Sequence, residues 1–119
     1  MTKTLTQEDL RQFSGSEQWF RHGLIRRIVF TEGAKHVADA GGAYWLLDEI
    51  ALAQQFIEGV AAEAFQVWKL EVTGSSGVLT CEDGNYTQVF RKDIPFTDFP
   101  LPEITLYLTH GTLLLPSEY

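Results

Sequence analysis

The sequence predicts an α+β domain: a curled, mainly antiparallel sheet of five to seven strands packed on one long central helix, with a short N-terminal helix. Three observations carry this. From Gly41 to Ile57 the apolar residues recur at helical spacing, and Leu46, Ile50, Ala53 and Ile57 fall within about 60° of one another at 100° per residue. Phe65–Val72 and Ile104–His110 alternate apolar and polar residues, the period of a strand with one buried face. Short turns carrying Gly, Asn and Asp separate the strands, which selects hairpins and hence antiparallel pairing.

In chain order, Thr6 is placed to cap a short helix whose first turn holds Glu8 and Asp9, where carboxylates complement the helix dipole. Leu10 and Phe13 share one face of it, and Ser14-Gly15-Ser16 ends it. A helix this short is unstable alone and must dock. Ser16 to His22 reads as a second capped turn. Leu24–Phe30 reads as a strand, Thr31-Glu32-Gly33 as a three-residue hairpin loop with Gly33 at positive φ, and Ala34–Ala38 as the returning strand.

The central helix has more apolar surface than one face needs. Asp48 and Gln55 lie opposite its main stripe. Trp45, Leu52 and Phe56 form a second apolar row on one flank, while Tyr44, Leu47 and Ala51 thicken the other. That second row calls for a cover, either the N-terminal segment or another protein chain. A homodimer is one such arrangement.

Val60–Glu63 reads as a link. Phe65–Val72 follows as a strand with Trp68, Leu70 and Val72 on one face. Thr73–Gly77 is a turn, Val78–Glu82 pairs back, and Asp83-Gly84 with Asn85 makes the next hairpin to a strand at Tyr86–Ile94. Pro95, Pro100 and Pro102 keep the connector extended, with Phe96 and Phe99 as anchors to the core. Ile104, Leu106 and Leu108 face inward on the next strand, Gly111 bends the chain, and Thr112–Leu115 is the last strand. The layout is similar in topology to cystatin-like and nuclear-transport-factor-like folds, a likeness that implies no function.

Composition narrows the function classes. A chain of 119 residues is one domain, 1–119, long enough to bury a core. It is 45% hydrophobic and 13% aromatic, which excludes global disorder. The net charge is −7. Residues 61–119 carry 3 basic and 8 acidic side chains, which argues against nonspecific nucleic-acid binding. Cys81 is the only cysteine, so neither an intrachain disulfide nor a thiolate zinc site is expected. With no apolar leader and no run near the ~20 residues of a membrane span, a cytoplasmic setting without membrane contact is expected.

The strings LTQEDLRQF, SGSEQWFRH, GGAYWLLDEIA, FQVWKLEV, CEDGN and IPFTDFPL, in that order, resemble an uncharacterised family of small bacterial proteins. The resemblance covers nearly the whole chain. It implies a setting on plasmids, phages and other mobile elements, where a host-interaction or element-maintenance role is expected rather than metabolism. It supplies no activity, cofactor or catalytic residue.

Few residues suggest chemistry. His22, His36 and His110 match the number of imidazoles in a catalytic zinc site but have no local ligand spacing, so the plain reading is three unrelated histidines. Cys81 beside Glu82 and Asp83 is a poor thiolate, because neighbouring carboxylates raise a thiol's pKa. Asp48 and Glu49 point about 100° apart on a helix and do not converge. No nucleotide-binding, metalloprotease or serine-hydrolase motif is present. Catalytic, cofactor and metal residues are therefore all left unassigned.

The binding candidates are Trp19, Arg21 and His22, a set of hot-spot residue types, and the helix row Trp45, Leu52 and Phe56. For the first set, the bland alternative is a loop anchored by Trp19 and Phe20. Together they lead to a non-enzymatic interaction protein, an inhibitor or adaptor with a protein partner, possible anti-defence proteins such as anti-CRISPRs included. The alternative is a small-ligand pocket between helix and sheet, lined by Tyr44, Trp68, His36 or His110, with or without catalysis.

Overall fold

Thr6 caps the first helix as its side chain predicts. Its hydroxyl accepts from the Asp9 N–H at 3.1 Å, and the Asp9 carboxylate accepts from the Thr6 N–H at 3.3 Å. This helix, α1 (Gln7–Arg11), opens a computed structural model that describes residues 5–13 and 18–119. Its expected stop at Ser14-Gly15-Ser16 and the first residues of the expected turn, Ser16 and Glu17, lie outside the described residues. The turn's remainder is a short strand, β1 (Trp19–Arg21).

The next stretch departs from expectation. Only Val29–Thr31 is a strand (β2), and the expected hairpin and return strand are one helix, α2 (Glu32–Gly41). Thr31 is its N-cap, with the hydroxyl accepting from the Ala34 N–H at 3.2 Å. Ala34, Val37, Ala38 and Gly41 make the buried stripe. Their i, i+3, i+4, i+7 spacing is helical, and the Ala34/His36/Ala38 alternation is incidental to it. Gly33 is needed for close approach, since a Cβ there would meet the Glu118 carboxylate and lie 2.7 Å from Leu115 Cδ1.

Gly42, at φ 61°, ends α2 in the left-handed conformation. The chain turns at once into α3 (Tyr44–Phe56), the helix expected at Gly41–Ile57. Leu46, Leu47, Ile50, Ala51 and Ala53 are buried; Ile57 falls past the end of the helix and is exposed. Thus α3 is not a lone central helix: α2 lies beside it and shares its core. The first half of the expected link at Val60–Glu63 is the end of a short helix, α4 (Glu58–Ala61).

Five strands follow: β3 (Phe65–Thr73), β4 (Ser76–Glu82), β5 (Gln88–Ile94), β6 (Glu103–Thr109) and β7 (Thr112–Leu114), then a 3-10 turn at Pro116–Glu118. The sheet order is β1-β2-β7-β6-β3-β4-β5. All pairs are antiparallel except β2 with β7. The sheet is open, with β1 and β5 at its two edges, so the expected curl around a helix is not what forms. Two helices side by side cover a broad sheet without needing it to wrap.

Alternation places the core as expected on β3, β4 and β6. Trp68, Leu70, Leu79, Cys81, Ile104, Leu106 and Leu108 are buried in one cluster with the inner faces of α2 and α3. The Trp68 indole N–H donates to Gln66 Oε1 at 2.9 Å, and Gln66 exchanges two 2.8 Å bonds with Gln54 of α3. A buried amide pair with its donors used is tolerable and fixes how helix meets sheet.

Smaller differences have local causes. In the β4–β5 turn the Asp83 carboxylate accepts from the Asn85 and Thr87 N–H groups, so the positive φ falls on Tyr86 rather than Gly84 or Asn85. Of the connector aromatics, Phe99 is buried and Phe96 is 73% exposed. His110, expected inward, sits exposed in the β6–β7 turn at φ 51°.

Candidate docking surface

The surface is built from the outer flank of α3. Trp45, Glu49, Leu52 and Phe56 follow one another at spacings of four, three and four, which lines them along one side of a helix. The core has already used the opposite side. Trp45 and Leu52 are half-buried, and Phe56 is 73% exposed. Among the described residues the N-terminal segment does not cover this row. Helix α1 docks elsewhere: Leu10 is buried, Phe13 packs its ring 5.3 Å from that of His36 on α2, and Ser117 donates to the Leu10 carbonyl at 3.1 Å.

The neighbour of this flank is the edge strand β5. Phe90 is on the same side, its ring 5.3 Å from that of Trp68. Lys92 reaches across to Glu49 with Nζ 2.7 Å from Oε1. The ion pair is partly exposed and contributes at most about 1 kcal/mol, but it ties the strand edge to the helix. Apolar hollows lie at either end of it. One, of about 270 Å³, is lined by Leu52, Phe56, Ile57 and Phe90; the other, of about 410 Å³, by Trp45, Ile94 and Phe96. The result is an apolar strip beside a strand whose outer hydrogen-bonding edge has no partner strand among the described residues.

Trp19, Arg21 and His22 stand at the far edge of the sheet, on or just after β1, so they do not join Trp45, Leu52 and Phe56 in one site. Trp19 is 56% exposed. The Arg21 guanidinium donates to the Arg26 carbonyl. His22 is 5% exposed and engaged within its own loop. Its Nδ1 accepts from the Leu24 and Ile25 N–H groups at 3.2 and 3.0 Å, which leaves Nε2 to donate to Asp48 Oδ1 at 2.8 Å. The expected strand at Leu24–Phe30 gives way to this His22-centred loop over residues 22–28.

The groups considered for chemistry have structural surroundings. Asp48 meets His22 while Glu49 meets Lys92, so the adjacent carboxylates diverge. Burial pushes the Cys81 thiol up to about 12, with Glu63, Glu82 and Asp83 adding to the effect. His36 lies 3.7 Å from the Asp9 carboxylate. Among the described residues no three His, Cys, Asp or Glu side chains are grouped so as to hold a metal. Of the residues expected to line a pocket between helix and sheet, Trp68 is buried in the core and the Tyr44 hydroxyl donates to Asp39.

The chain matches a known family over residues 4–119, nearly its whole length. It belongs to DUF6876, a family of unknown function. No curated protein and no solved structure matches it. Membership in DUF6876 bears out the uncharacterised family expected from the ordered sequence strings. No helix among the described residues is long and apolar enough to cross a membrane.

Phe90 and Lys92 belong to the strip without any local sequence signal for it, whereas Ile57 and Phe96, expected on the core stripe and as a core anchor, are exposed there instead. Phe90, Lys92 and Ile94 do alternate with Val89, Arg91 and Asp93. Their position at an edge beside α3 depends on strand order, which local pattern does not encode.

Proposed function

We propose that this chain is a non-enzymatic protein-interaction domain that acts as an inhibitor or adaptor. The observation that carries the reading is the apolar strip beside the edge strand β5, made of half-buried Trp45, Leu52 and Phe90 with exposed Phe56. Large apolar side chains flanking an unpaired strand offer both elements of protein recognition: anchors for buried side chains and main-chain groups for an added strand. The divergent Asp48 and Glu49 and the buried Cys81 weigh against catalysis by those groups. The sequence resemblance to mobile-element proteins supports a bacterial host protein as the eventual target, an anti-CRISPR type of anti-defence inhibitor being one form.

The test is affinity capture from bacterial lysate with wild-type protein, Phe56→Arg and Trp19→Ala in parallel. Phe56 is exposed, so Phe56→Arg should leave stability within about 0.5 kcal/mol. The reading predicts a stoichiometric partner that Phe56→Arg loses and Trp19→Ala keeps. A partner indifferent to Phe56→Arg would place docking elsewhere.

A small-ligand reading at a different place from the expected helix–sheet pocket has one observation in its favour, on the outer sheet face. A hollow of about 690 Å³ there is lined by residues that include Phe65, Tyr107, Tyr119, Lys69 and Glu82. The three rings pack together with centroids 5.1 to 5.7 Å apart, and Lys69 pairs with Glu82 at 3.2 Å. Ligand-dependent rises in melting temperature that Tyr107→Ala abolishes would favour this reading.

A further inference from the structure

We infer that the partner seated on the β5 edge is a second copy of this chain, paired antiparallel about Lys92 on a twofold axis. This rests on the docking reading above and makes a second copy the occupant of that surface, so that any inhibitor or adaptor target meets the dimer, and Phe56→Arg loses that target by breaking the dimer.

The charge pattern of β5 selects the pairing. Charged residues on an edge strand ordinarily discourage strand addition. Here they alternate in sign at one spacing. Arg91 and Asp93 point to the outer sheet face, where Arg91 Nη2 lies 3.2 Å from Asp93 Oδ1. Phe90, Lys92 and Ile94 point to the helix side. When two copies of β5 pair antiparallel with Lys92 opposite Lys92, each Arg91 faces the other copy's Asp93. Two opposite-charge pairs close a ring of four charges on the outer face. On the helix side each Phe90 faces an Ile94.

Neighbouring registers are worse. Centring on Arg91 sets Arg91 against Arg91 and Lys92 against Phe90. Centring on Asp93 sets Asp93 against Asp93 and leaves Arg91 opposite Pro95, which has no N–H to offer. Opposite charges directly across a strand pair are favourable, and like charges there are unfavourable. The chosen register has one like pair, Lys92 with Lys92, and each of those is already held to its own Glu49 at 2.7 Å.

The apolar strip fits the same symmetry. A twofold axis through Lys92 perpendicular to the sheet keeps both helical layers on one side of a continuous sheet. The two α3 flanks then face each other across the seam, bringing Leu52 and Phe56 of one copy toward those of the other. A self-complementary patch of this kind is what an isologous dimer requires.

Light scattering on the purified chain, with β5 charge variants, tests this. Wild type should show twice the 13.4 kDa chain mass. Arg91→Asp and Asp93→Arg should each weaken the dimer roughly tenfold or more, because each turns two opposite-charge pairs into like-charge pairs. The double variant Arg91→Asp/Asp93→Arg should regain the wild-type dimer, with circular dichroism confirming the fold of all three. A wild-type monomer at several hundred micromolar overturns the inference, as does a dimer indifferent to both single variants or one that the double variant does not restore. A monomer that still captures a Phe56-dependent partner overturns only the self-pairing. A monomer with no such capture overturns the docking reading as well.

Discussion

At the scale of single residues, His22 carries more structure than its exposed neighbours suggest. Its ring joins two backbone N–H groups of the 22–28 loop to Asp48 of α3. His22→Ala removes the acceptor of those part-buried donors and the bond to Asp48 and should cost about 1–2 kcal/mol in denaturant unfolding, while leaving association through the α3 flank unchanged. Cys81 has a signature in pH. Its thiol is raised from 9.0 to about 12 chiefly by burial. Between those values the unfolded chain has lost the proton that the folded chain keeps, so stability is full below about pH 9 and falls as pH rises toward 12. Cys81→Ala should flatten that alkaline decline in a pH series of unfolding midpoints, and the native thiol should resist modification at pH 8. Its inert character was legible from the carboxylates beside it. The burial of His22 was not, because it depends on Asp48, 26 positions away.

At the scale of elements, legibility followed periodicity. Strands β3 and β6 alternate without ambiguity, and α3 repeats its apolar stripe over three turns, so all three were readable. Helix α2 was misread because small residues leave a weak pattern, and Ala34, His36 and Ala38 satisfy a period of two as well as their neighbours satisfy 3.6. The deciding signals are nonlocal. Glu118, 85 positions on, accepts from the Gly33 N–H at 3.1 Å and from the Thr31 hydroxyl at 2.6 Å, placing a carboxylate at the positive end of α2. Gly33→Ala should therefore destabilise the protein by about 1–3 kcal/mol through overpacking against Leu115, although alanine is the better helix former. Equal or higher stability of Gly33→Ala by thermal unfolding would refute that close approach.

For the whole molecule, the pattern is a two-layer domain in which the outer flank of α3 runs beside one sheet edge. The core takes one side of α3, α1 packs on α2 and the C-terminal turn, and the outer flank of α3 is left beside β5. The surplus of apolar residues on α3 was visible in sequence, and so was the need for a cover. The location of that cover was not, because strand order decides which edge lies next to the flank. The most direct measurement is site-specific photocrosslinking in cells, with a photoreactive amino acid at position 56 and a control at the similarly exposed position 24, in the 22–28 loop away from the strip. The docking account predicts one discrete adduct from position 56, at twice the 13.4 kDa chain mass if the occupant is a second copy, and a weaker or different pattern from position 24. Absence of any discrete adduct from position 56, with the protein folded and abundant, would contradict it.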